Sequence, residues 1–112
     1  MLTAHWSGKT IYDIEPAALA RRGIRLLLAD LDNTLVPYGV PEPTLPVREW
    51  TAALRERGVT LFVLSNNRHP QRPERFCTAL GVPYIGHAGK PKAGSFYRAM
   101  EQMGCTPEQT AI

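Results

Sequence analysis

The chain has 112 residues, 44% hydrophobic and 21% charged, which suits a single domain (residues 1–112) with its own core and excludes a disordered segment. Its net charge is +3, with Lys and Arg scattered along the chain, so nucleic acid is not an expected partner, while an anionic substrate is compatible. No apolar run reaches the roughly 18 residues of a membrane-spanning helix, and Cys77 and Cys105, which form no C-x-x-C pair, suit a reducing, cytoplasmic setting.

In chain order, PAALARR (16–22) reads as a short helix, with Pro16 in its first turn and Gly23 at its end. IRLLLAD (24–30) is apolar without alternation, the pattern of a strand covered on both faces. VPYGVPEPTLP (36–46) is a loop. Val47, Trp50, Ala53 and Leu54 then recur at helical spacing until Gly58. VTLFVL (59–64) is a second apolar strand, followed by the loop SNNRHPQRP. Pro73 opens a helix through ERFCTAL to Gly81, and VPYI (82–85) is a third strand. After the loop GHAGKPKAG, Phe96, Met100 and Met103 line one face of a helix ending at Gly104. The last residues, CTPEQTAI, form a turn into a strand that stops as it begins. Strands alternating with helices over short connections imply an α/β fold with a parallel sheet.

Ligands of such sheets sit at the carboxyl ends of the strands. Asp30 and Asp32 follow the first strand, Ser65, Asn66 and Asn67 the second, and Lys90 the third. Two carboxylates this close repel each other, so a cation, a shared proton or water must compensate. Carboxylates, a hydroxyl and one ammonium suit phosphoryl transfer, where charge spreads over several oxygens. A hard ion such as Mg²⁺ would let Asp30 stay ionised beside a phosphate dianion. Asp30 could then attack phosphorus, with Asp32 moving protons, Ser65 donating to a phosphoryl oxygen and Lys90 offsetting charge. The plainer readings are a solvated Asp-rich turn, turn-forming asparagines and a surface lysine. His5, His69 and His87 lack metal-ligand spacing and read as surface or loop residues.

D-L-D-N-T-L (30–35), Ser65 and Lys90-Pro91 resemble the first three motifs of the haloacid dehalogenase (HAD) superfamily. The stretch from IYDIEPAALARRGIRLLLADLDNTLVPYG through LFVLSNN to AGKP is similar to its subfamily IIIA phosphatases of YqeG type, relatives of mitochondrial phosphatidylglycerophosphate phosphatases. The resemblance implies a HAD-like (Rossmannoid) α/β sheet with flanking helices, three of its strands present, and no cap. It implies Asp30 as nucleophile and Asp32 as acid/base, both at the Mg²⁺ ion, Asp32 through its backbone carbonyl. Thr34 would support the loop and substrate beside Asn66 and Asn67, Ser65 would hold phosphate, and Lys90 would anchor phosphate and Asp30.

The implied function is Mg²⁺-dependent hydrolysis of a bulky phosphomonoester, phosphatidylglycerophosphate being one candidate, at a site open to a membrane surface. Val36, Pro37, Tyr38, Arg68 and Arg72 are expected to meet that substrate. The family's fourth motif adds acidic metal ligands after a fourth strand, whereas the acidic residues past Lys90 are Glu101 and Glu108. The expectation is therefore a fragment lacking the C-terminal part of the core, with LLLAD left as an uncovered edge. The alternative is a HAD-like module that binds without turnover. A phosphorelay receiver would need an acidic residue after the third strand, where YIGHAG has none, and about 29 residues before D-x-D are too few for a glycosyltransferase's nucleotide-binding region.

Overall fold

A computed structural model describes residues 11–32, 35–36, 40–65, 69, 71–86 and 92–112, with the backbone alone for Lys92 and Ala93. Thr34, Asn66, Asn67 and Lys90 lie outside the described residues, as do Pro37, Tyr38, Arg68, His5 and His87.

The helices are α1 (Pro16–Arg21), α2 (Leu45–Glu56), α3 (Gln71–Leu80) and α4 (Lys92–Met103). The strands are β1 (Leu26–Asp30), β2 (Thr60–Leu64), β3 (Tyr84–Ile85) and β4 (Thr110–Ala111). They form one parallel sheet in the order β3-β2-β1-β4. Single 3-10 turns at Ile11–Asp13 and Pro107–Gln109 complete the described elements.

β1 is apolar throughout because both of its faces are covered. Leu27 and Ala29 join Leu61 and Val63 under α1, α2 and α3, through Leu19, Val47, Leu54, Phe76 and Cys77. Leu26 and Leu28 join Phe62, Leu64 and Ile85 on the opposite face, against Ala99 and Met100 of α4. The alternation of a pleated strand thus feeds two apolar layers from one sequence run.

α2 and α3 each begin two residues earlier than the sequence pattern suggests. Pro46 and Pro73 sit inside the first turns, where a missing N–H removes no helical hydrogen bond. The Thr44 side chain caps α2 by accepting from the Val47 amide at 3.5 Å. Gly58 ends α2 at φ 76°, a left-handed conformation that lets the chain turn directly into β2.

The sheet has four strands: the three expected as full strands, and the one expected to begin within CTPEQTAI. Thr110 and Ala111 pair with Leu26 and Leu27, so the first part of β1 is interior and not an edge. The turn into a strand expected at CTPEQTAI is the 3-10 turn Pro107–Gln109 leading into Thr110 and Ala111. Among the described residues, no helix is long and apolar enough to cross a membrane.

Candidate active site

The strand order reverses its direction of growth at β1. β2 and β3 are added on one side and β4 on the other, which makes the carboxyl end of β1 the topological switch point of the sheet. Asp30 is the last residue of β1 and stands half-buried there. Its register partner on β2 is Leu64, and Ser65 is the next residue. The Ser65 amide donates to the Ile85 carbonyl at 3.0 Å, extending the ladder to β3 one residue past the strand. Ser65 is 3% exposed, so its side chain is withdrawn from solvent. Sequence reasoning placed Asp30 and Ser65 on one rim, and the register makes them occupants of adjacent strand ends.

Asp32 is positioned by its apolar neighbours. Leu31, Leu35 and Val36 are each buried in the core. The Leu31 carbonyl accepts from the Leu35 amide at 3.1 Å and the Val36 amide at 3.4 Å, and Asp32 bridges to Val36. Those three apolar side chains pin the turn to the sheet and leave Asp32 at the rim. Val36 is therefore a core residue, not the substrate-facing one expected from its loop position. Tyr12 braces the same turn by donating its hydroxyl hydrogen to the Leu35 carbonyl. Burial pushes the Tyr12 pKa up against a lowering hydrogen bond with Thr44, so the phenol stays protonated as that donor requires. Trp50 meets the Tyr12 ring edge-on at 5.7 Å and donates from Nε1 to the Ile14 carbonyl at 3.1 Å.

Arg72, near the start of α3, is the residue whose role the sequence did not disclose. Its Nη2 lies 2.7 Å from Asp32 Oδ1, with the two side chains 11% and 18% exposed. It is an ion-pair partner of Asp32, where a substrate-facing loop residue was expected. Forty residues separate the pair, and no local pattern marks such a contact. Its charge also reaches Cys77, whose thiol burial pushes up to about 12 against the lowering influence of Arg72. His69 is exposed, as its loop position suggested.

Chemically, the rim offers one carboxylate at the strand tip, a second carboxylate in a cationic contact and a buried hydroxyl. The oxygen donors fit a hard divalent ion that keeps several waters. Among the described residues, no group of three or more His, Cys, Asp or Glu side chains gathers around a metal position.

The comparisons with known proteins agree with this architecture. The chain is 35% identical over 104 residues to "Probable phosphatase YqeG" of Bacillus subtilis, covering 93% of this chain and 60% of that protein. Among solved structures it resembles the cobalt-bound deoxy-D-mannose-octulosonate 8-phosphate phosphatase YrbI of Haemophilus influenzae. The TM-score there is 0.65 at 21% identity, over 81% of this chain and 58% of the other. A candidate HAD subfamily III A hydrolase of Legionella pneumophila gives a TM-score of 0.58 at 16% identity, over 88% and 59% of the two chains. The structural likenesses establish the fold, and the chain spans about 60% of the length of these relatives. Residues 39–112 match the family model of the haloacid dehalogenase-like hydrolases, and the chain belongs to that family.

Proposed function

We propose that this chain carries the catalytic rim of a subfamily IIIA phosphomonoester phosphatase that works through an aspartyl-phosphate. The observation that carries this is the placement of Asp30 at the switch point, across from the strand end that leads into Ser65. A carboxylate oxygen of Asp30 attacks phosphorus as the ester P–O bond breaks, and Asp32 gives its proton to the departing alcohol oxygen. Asp32 then takes a proton from water as that water's oxygen attacks phosphorus, which releases phosphate and frees Asp30. Ser65 donates to a phosphoryl oxygen, and Lys90 balances the charge that gathers there. Thr34, Asn66 and Asn67 complete the substrate contacts. Asp30 and the Asp32 carbonyl would hold a divalent ion, Mg²⁺ in this proposal, which when bound neutralises phosphoryl charge.

The substrate is taken to be bulky. The β1–α2 and β2–α3 connections, residues 31–44 and 65–70, are too short to fold as a separate lid. An open rim admits a phospholipid headgroup such as phosphatidylglycerophosphate, and it also admits a soluble sugar phosphate. Assaying both, the lipid in detergent micelles, separates the two classes.

The first test is release of p-nitrophenol from p-nitrophenyl phosphate with Mg²⁺, beside an Asp30→Asn control. Turnover by the unmodified chain and none by the control is the expected result. Turnover that survives the substitution argues against Asp30. Binding without turnover in both favours a module that holds phosphate and does not hydrolyse it.

A further inference from the structure

Arg72 joins two points of one connection. Its Nη2 donates to Asp32 and its Nη1 to the Val40 carbonyl, so a single guanidinium from α3 spans residues 32 and 40 of the β1–α2 segment. The Phe76 ring, one helical turn on, lies 5.5 Å from the guanidinium carbon. The Arg72 Nε is buried and has no hydrogen-bond partner among the described residues.

This arrangement is a poor way to gain stability. Ordering a long side chain costs entropy, withdrawing a guanidinium and a carboxyl group from water costs desolvation, and an orphaned donor adds to that desolvation. A second arginine on the same helix shows the contrast. Arg75 reaches Glu42 of the same connection at 2.9 Å, but those side chains are 66% and 57% exposed. Such a surface pair contributes little and fixes little. Arg72 differs by being enclosed, doubly anchored and attached to the carboxylate that moves protons in the proposed reaction.

We infer that Arg72 is the positioning residue for Asp32. The planar fork, braced by the Val40 carbonyl and the Phe76 ring, sets where the Asp32 carboxyl stands at the rim. This rests on the phosphatase reading for the role of Asp32 and adds the group that orients it. Arg72 exchanges no proton itself: Asp32 gives one to the leaving oxygen and takes one from water. The effect of Arg72 therefore depends on how much the leaving group needs that proton.

The test compares kcat/KM for phenyl phosphate, a poor leaving group, with 2,4-dinitrophenyl phosphate, which departs without protonation. In the full chain, Arg72→Gln should lower the phenyl phosphate value about 30- to 100-fold and the dinitrophenyl value less than about threefold, within the range of general acid catalysis. Arg72→Lys should recover part of the loss, and Arg75→Gln should change neither substrate. Equal losses on both substrates, or no loss, overturn the inference. Melting temperatures of Arg72→Gln, Asp32→Asn and the double variant supply a readout independent of turnover. Non-additive shifts support the contact, and additive shifts overturn it. If the unmodified chain hydrolyses neither ester, the phosphatase reading falls, and the melting cycle alone decides whether Arg72 holds Asp32.

Discussion

The two ends of the parallel strands are made of different material. Between α2 and β2 and between α3 and β3 the turns are short and rest on glycine, Gly58 and Gly81, both in the left-handed region. Where β1 and β2 lead into helices, the connections are longer, with Asp30 just before the first and Asp32 and Ser65 near their starts. The first end asks the backbone for a conformation and asks the side chains for almost nothing. The second end holds polar side chains against a core that is otherwise apolar. The lesson is that the same sheet separates the residues that close the fold from those proposed to do chemistry, so the two sets should fail independently.

The largest separation is expected at Asp30. Asp30→Asn should abolish turnover, by at least about 1,000-fold for loss of a nucleophile, while the melting temperature moves little. Parallel kinetics and calorimetry on that variant check it. Leu27 lies in the same strand at 0% exposure, and Leu27→Ala should do the reverse. A cost of about 3 kcal/mol is expected for a buried leucine truncated to alanine, measured by urea unfolding, with kcat kept in the molecules that remain folded. Ser65→Ala should lower kcat about 100-fold, as for one donor to a developing oxyanion, with the fold retained by circular dichroism. The smallest effect falls at Gly58, where an added Cβ would meet nothing within 4 Å. Gly58→Ala should therefore cost only the conformational penalty of a left-handed residue, about 1 kcal/mol, with kcat unchanged well below the melting temperature. A Gly58 variant that lost activity while fully folded would break the separation.

Much of this was legible in the residues, for identifiable reasons. LLLAD lacks alternation because both faces of β1 are covered, and that made it a buried parallel strand before any coordinates. Val47, Trp50 and Leu54 recur on one helical face because they pack on the sheet. The rim followed from topology, since successive parallel strands bring their carboxyl ends to one edge. The Arg72–Asp32 contact and the Tyr12 brace on Leu35 were not legible. Each joins residues distant in sequence through a side chain that leaves no periodic trace. Arg72 looked like one more loop cation until α3 placed it beside Asp32. β4 was read as a strand beginning within CTPEQTAI, and its two residues pair with Leu26 and Leu27.

The central claim is covalent, and a trapping experiment meets it directly. The chain is mixed with Mg²⁺ and a ³²P-labelled phosphomonoester, quenched in acid, reduced with borohydride and digested with trypsin. A phosphorylated Asp30 would be reduced to homoserine within the peptide of residues 26–48, and that is the predicted product. Turnover with no label on the protein, or reduction at a carboxylate other than Asp30, would contradict the account.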